Sequence, residues 1–302
     1  MNNKRRLFST LLCVVALTAG LFVSGCGSDK AGGIGSVVSS VVDGGSDEKA
    51  AAKLNTLIDA TNRFNGDNAT WGQNYADSLA KLKGGFQEGA IGRQPHYDTL
   101  KEALEQSKKE GSTFKEVDTE RDNVLNVLNE LVPTFKDLKA YDDSKAYMND
   151  GGAKGKELAA KYVAQVEKFD AAYAKFNDAL NKANTEQTKK QIEKLKKDGK
   201  KGYAAAMEST LRLTTLVENV EKAPKNADKQ AVEKELNEIQ TLLKSINNDR
   251  GEVLVNSYNS VVGSVRQVLN DANENNLNDM IENFNNYIES YNNTTPDQFD
   301  SK

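Results

Sequence analysis

Apolar residues return at every third or fourth position along most of the chain, and the stretches where they do so read as amphipathic helices. The most regular run is Leu158, Tyr162, Val166, Phe169, Tyr173, Phe176 and Leu180, which steps of three and four place on one stripe. A second stripe passes through Val232, Leu236, Ile239, Leu243, Ile246, Leu254, Tyr258, Val261, Val265 and Leu269. As single helices of about 25 and 40 residues these would reach roughly 35 to 60 Å at 1.5 Å per residue. No run alternates apolar and polar residues with period two. The fold class is therefore all-α, an elongated bundle of long amphipathic helices.

Shorter segments fill the remainder. Leu54, Leu57, Ile58 and Phe64 mark one helix; Trp71, Tyr75, Leu79 and Leu82 mark another that stops at Gly84-Gly85. Val124, Leu128, Leu131, Phe135 and Leu138 mark a third, which Pro133 should kink or divide. After Gly151-Gly152 and the 158–180 stripe, Ile192, Leu195, Tyr203, Met207, Leu211 and Val217 suggest a helix weakened near Gly199 and Gly202 and closed by Pro224. Leu277, Ile281, Phe284, Ile288 and Tyr291 form the last. One echo links the ends: Leu54-Asn55, Leu57-Ile58-Asp59 and Asn62 match Phe284-Asn285, Tyr287-Ile288-Glu289 and Asn292 at equal offsets. It reads either as a duplicated helix or as a similar core face written twice.

The start of the chain has another pattern. Lys4, Arg5 and Arg6 precede an apolar run from Leu7 to Phe22, which is short of the roughly 20 residues a membrane-spanning helix needs. A charged start, an apolar run and a small-residue site follow the order of an export signal. The box Val23-Ser24-Gly25-Cys26 resembles the bacterial lipobox at every position. That resemblance implies cleavage before Cys26 and attachment of diacylglycerol to its thiol. The expected layout is a signal peptide at 1–25, lipidated Cys26 with a Gly/Ser-rich tether to 46, a helical domain at 47–293 and a C-terminal tail at 294–302. The pairs Val37-Val38 and Val41-Val42 could instead dock that tether on the domain or on a bilayer interface.

Composition narrows the chemistry. There are two cysteines, and Cys13 lies in the segment expected to be removed, so the mature chain would have no disulfide and no thiol nucleophile. Losing three cations with the signal takes the formal net charge from −4 to about −7, which disfavours nucleic acid as a partner. The only histidine, His96, sits in Gln94-Pro95-His96-Tyr97 and reads as a surface or capping residue; zinc sites and histidine-dependent triads have nothing to build on. The run Asp150-Gly151-Gly152-Ala153-Lys154-Gly155-Lys156-Glu157 imitates a phosphate loop. Asp150 stands where the first glycine belongs and Glu157 where the hydroxyl belongs, so it reads as an interhelix turn. Asp142-Asp143 and Asp297 with Asp300 are acidic pairs without the spacing of a calcium loop. Lys189, Lys190, Lys194, Lys196, Lys197, Lys200 and Lys201 form a basic cluster suited either to anionic lipid or wall polymer, or to water. No catalytic residue, cofactor or metal site is indicated; Cys26 is the one site residue.

The opening Leu54-Asn55-Thr56-Leu57-Ile58, the closing Phe284-Asn-Asn-Tyr-Ile-Glu-Ser-Tyr-Asn292, and Leu131-Val-Pro133, Tyr141-Asp142 and Lys154-Gly-Lys-Glu157 between them resemble the YiiG-like bacterial lipoproteins. The resemblance implies a helical domain of unknown function and supplies no catalytic residues. Together these readings describe a cell-envelope lipoprotein, held to a membrane by its lipid, that binds an envelope protein or cell-wall component and is not an enzyme. A small-molecule or metal receptor with a pocket between helices, lined by Trp71, Tyr75, Tyr97 and nearby carboxylates, is the alternative. Gly27 lacks the aspartate that retains some lipoproteins at the inner membrane, so a host with two membranes would carry it on the outer one. In a host with one membrane it would stand on that membrane's outer face.

Overall fold

The computed structural model describes residues 46–301 except Arg93, Ser112 and Thr113, and gives the backbone alone for 46–48 and 66–73. The expected signal peptide, Cys26 and the tether up to residue 45 lie outside the described residues, and Ser46, its last residue, opens α1. Within the described residues the chain is helical apart from its turns and loops, with no strand, so the all-α class holds. The helices are α1 (Ser46–Lys83), α2 (Tyr97–Lys109), α3 (Lys115–Asp143), α4 (Tyr147–Asp150), α5 (Ala153–Lys197), α6 (Lys201–Lys222), α7 (Lys229–Lys244), α8 (Asp249–Asn270), α9 (Glu274–Asn292) and α10 (Pro296–Phe299).

Several boundaries differ from the periodic reading. The two helices expected before Gly84-Gly85 are one, α1, of 38 residues. Pro133 does not divide α3: it lies on the exposed side, where the carbonyl it leaves unbonded can meet water. The stripe from Val232 to Leu269 is two helices. Asn248 ends the continuity, because its Oδ1 accepts from the Arg250 and Gly251 backbone N–H groups at 3.1 and 3.0 Å and starts α8 afresh. The segment from Ile192 to Val217 is split as well, by Gly199 at φ +79°, so Ile192 and Leu195 close α5 while Tyr203 opens α6.

The stretch 47–293 holds two compact units that divide within α5, between Ala183 and Asn184. In the first, α1 packs on α2 and α2 on α3. α5 adds Leu158, Tyr162, Val166, Phe169, Phe176 and Leu180, each at most 7 % exposed, as the stripe predicts. Full burial of such side chains stabilises by about 1.5–3 kcal/mol each. Gly155 lets α5 start close to its neighbours: a Cβ there would stand 2.5 Å from Phe86 and 2.6 Å from Tyr141.

The second unit builds on α6, α8 and α9, with α7 against α6 and α8. Its core includes Met207, Leu213, Leu236, Ile239, Tyr258, Val265, Phe284 and Tyr287. Residues 294–301, set apart in the sequence as a tail, pack into it. Phe299 is 2 % exposed and stacks on Tyr203 at 5.7 Å and Tyr291 at 6.0 Å between centroids. Asn248 Nδ2 donates to the carbonyls of Gln298, Phe299 and Ser301 at 3.0–3.1 Å. Asp300 accepts from the Gly202 N–H at 2.6 Å and so caps α6.

Two glycines of α8 should respond to alanine in opposite directions. A Cβ at Gly251 would fall 2.0 Å from the Ile246 carbonyl oxygen, whereas one at Gly263 meets nothing within 4 Å. Gly251→Ala is expected to lose about 1–3 kcal/mol and Gly263→Ala to gain roughly 0.5–1 kcal/mol. Urea unfolding of both variants measures this; equal effects would contradict the packing described.

Candidate functional site

The densest polar cluster inside the first unit is a set of tyrosines. Tyr75 on α1 and Tyr97 at the start of α2 are 5 % and 4 % exposed, and their hydroxyls lie 2.9 Å apart. Tyr162 on α5 is fully buried and donates to Gln94 Oε1 in the loop before α2. That loop is pinned from α1, where Ser78 Oγ donates to the Ala90 carbonyl at 2.6 Å and accepts from the Gly92 N–H at 2.8 Å. Phe64 and Phe169 stand 5.9 and 5.0 Å from the Tyr97 ring, and Tyr173 stacks on Phe169 at 5.2 Å and donates to Asn65 Oδ1 at 3.0 Å.

Burial, first of all, pushes the Tyr75, Tyr97 and Tyr162 hydroxyls well above the ordinary phenol range. Neighbouring phenols and the Asp170 carboxylate add to the effect. All three therefore stay neutral and serve as donors and acceptors. Burial also raises Asp170, to about 6, against the pull of Lys83 and with a further push from Glu167. In the second unit burial and Glu218 raise Glu221 to about 7, Lys222 opposing. Chemically, the tyrosine cluster is a closed hydrogen-bonded net that fixes α1, α2 and α5 against one another. It holds no nucleophile beside a base. Tyr75 and Tyr97 come together as the receptor reading requires, but as packed core and not as pocket walls; the Trp71 side chain is outside the description.

A second buried polar group escaped the periodic reading. Arg121, 4 % exposed, pairs with Asp118 at 2.7 Å and Asp122 at 3.1 Å. Burial pushes both carboxyls up. At Asp118 it outweighs Arg121, whereas at Asp122 hydrogen bonds from Lys108 and Arg121 outweigh it and the result lies below the usual range. The clue was in the sequence, for Arg121 interrupts the apolar series Val117, Val124, Leu128 on the buried face of α3. Beside it a cleft lined by Lys53, Leu57, Ser107, Phe114, Val117 and Asp118 encloses about 10 Å³, room for a single water.

The remaining candidates disperse. His96 is exposed at the start of α2 and makes no side-chain cap. Asp143 pairs with Lys139, Asp297 with Lys200, and Asp300 caps α6. Among the described residues no three His, Cys, Asp or Glu side chains gather to hold a metal ion. In the run that imitates a phosphate loop, the anion at the start of α5 is the chain's own: Asp150 accepts from the Gly152 and Lys154 N–H groups at 2.9 and 3.1 Å and from the Tyr141 hydroxyl at 2.5 Å. The hydrogen bond from Tyr141 leads the causes that hold Asp150 below the usual carboxylate range. It is an interhelix turn, with Gly151 and Gly152 at φ +64° and +83°.

A family model described as a protein of unknown function (DUF3829) matches residues 48–278, which takes in helices of both units. No curated protein and no solved structure matches the chain.

Asp170 gives stability a pH dependence of definite sign. Unfolded, it loses its proton near 3.8; folded, at about 6. Between those values the folded chain binds more protons than the unfolded one, so stability falls as pH rises through the window and stays lower above it. Asp170→Asn should therefore stabilise by roughly 1–3 kcal/mol near pH 8 and make no difference below the unfolded value. Denaturant melts at both extremes measure it; a gain at acid pH would contradict the assignment.

Proposed function

We propose that this chain, which belongs to the DUF3829 family of proteins of unknown function, is a lipid-anchored protein of the bacterial cell envelope. Its helical units bind an envelope protein or a cell-wall component and do not turn over a substrate. The observation that carries this reading is the box Val23-Ser24-Gly25-Cys26, set directly behind a cationic start and a short apolar run. The likeness to the YiiG-like lipoproteins points the same way. A thioether to diacylglycerol on Cys26 would consume the mature chain's sole thiol. Two acyl chains, at about 0.8 kcal/mol per buried methylene, anchor firmly where one holds only marginally.

Binding is favoured over catalysis by the state of the polar groups inside the fold. The tyrosine net closes on itself, Arg121 is held by its two aspartates, and Asp150 occupies the helix start that an incoming anion would need. With Gly27 after the lipidated cysteine, the outer membrane is the expected location in a double-membraned host. In a single-membraned one it is the outer face of the plasma membrane.

Feeding the host an alkyne-tagged fatty acid tests the anchor. The wild-type chain should take up the tag and run at the size of the product cut before Cys26. Cys26→Ser should lose the tag and keep the signal segment. Tag retained by Cys26→Ser would overturn the reading.

A further inference from the structure

Between Lys189 and Lys201 stand seven lysines and two acids, a formal charge of +5 on a chain whose total is −4, so that the other 289 residues carry −9. All seven are exposed, on the last turns of α5 and the first of α6. Two are held within the fold: Lys196 by Glu208 and Glu193 at 2.9 and 3.6 Å, and Lys200 by Asp297 at 3.3 Å. Lys189, Lys190, Lys197 and Lys201 form no ion pair among the described residues.

The fold itself gives little reason for these four. Cations in the last turn of a helix complement its dipole, which accounts for Lys197. Lys189 and Lys190 lie about two turns earlier. Lys190, Lys194 and Lys197 repeat at steps of four and three, so like charges share one face, and Glu186 and Glu193 at helical spacing offset them only in part. Lys201 stands in the first turn of α6, where the dipole opposes a cation. A net charge of +5 gathered within residues 189–201 and turned outward is what an external anion would reward.

We infer that the end of α5 and the start of α6 form a docking surface for an anionic phospholipid bilayer, and this rests on the proposed lipid anchor. Each lysine close to such a surface strengthens association by about fivefold, so four amount to several hundredfold. For a free protein that is weak. An anchor at Cys26 would confine the chain to the membrane surface and turn this second contact into an intramolecular one, for which such an affinity is enough. The negative charge elsewhere leaves this patch as the favoured face toward the lipid.

The test supplies the anchor chemically. The chain from Cys26 onward, which contains every described residue and a single thiol, is coupled to a maleimide lipid in vesicles of phosphatidylcholine, with or without added phosphatidylglycerol. Lysine acetylation by a small reagent is then followed, with Lys234 as the internal reference because its side chain is 80 % exposed. On anionic vesicles, acetylation of Lys189, Lys190, Lys197 and Lys201 relative to Lys234 should fall about fivefold. The fall should vanish in about 1 M salt, where screening acts within about 3 Å. In a chain with those four lysines changed to Gln, Lys194 remains as reporter and should lose its protection. Equal acetylation on neutral and anionic vesicles would overturn the inference, as would protection of Lys194 in the four-Gln chain. Equal protection by inorganic polyphosphate in solution would assign the patch to a phosphate polymer and overturn the bilayer. Because the anchor is attached in vitro, failure here leaves lipidation in the cell standing, and failure of lipidation leaves this result standing.

Discussion

A helix of 45 residues stays in place only if the side it turns to its neighbours is apolar for as long as there are neighbours to meet, and α5 satisfies that condition. Phe169 and Tyr173 stack on one another, Tyr162 and Phe176 are wholly buried, and the rings bring enough surface to exclude water from the centre of the first unit. Several of those rings are phenols, which adds a second condition. A buried hydroxyl without a partner costs about as much as a lost hydrogen bond; here Tyr162 takes Gln94 and Tyr75 takes Tyr97, while the part-buried Tyr173 takes Asn65. The position of the loop before α2 follows from this, since Gln94 and Ser78 have to meet their partners wherever the helices leave them. Aliphatic side chains at the same positions would have been buried as well and would have specified much less.

The character of the fold was legible because helical periodicity is a local property. The stripe on α5, the stop at Gly84-Gly85 and the turn at Asp150 could all be read from neighbouring residues. What escaped were features decided by partners far along the chain. Asn248 breaks the second long stripe through hydrogen bonds to its own helix start and to residues some 50 positions away. The apolar spacing on either side of it continues almost undisturbed, so periodicity alone joins α7 to α8. Phe299 belongs to the core although only one turn of helix surrounds it. α1 is continuous past Phe64, where the apolar pattern thins.

The candidate site was legible to a smaller degree. Tyr75 and Tyr97 were named together, but as pocket walls. Whether two aromatic residues enclose a space or fill one depends on what packs behind them, here Phe64 and Phe169. Arg121 is visible in the sequence as a charge in an apolar series, whereas its burial is not. Such a series usually signals a core, and a cation inside one is accepted only where acids meet it, as Asp118 and Asp122 do. The lipidation proposed for Cys26 and the architecture of the two units are separate matters: the first is argued from a few residues near the start, the second from stripes spread over more than two hundred.

Asp300 does for α6 what a residue immediately before a helix usually does for itself. Lys200, in that preceding position, has no acceptor to offer, and the carboxylate arrives from 98 positions away. The first turn of α6 therefore cannot be completed by the segment that forms it. It depends on an acceptor supplied from the far end of the second unit. Without the Phe299 segment the Gly202 N–H and the Asn248 Nδ2 group would lose their partners together, while Asn248 Oδ1 would go on capping α8.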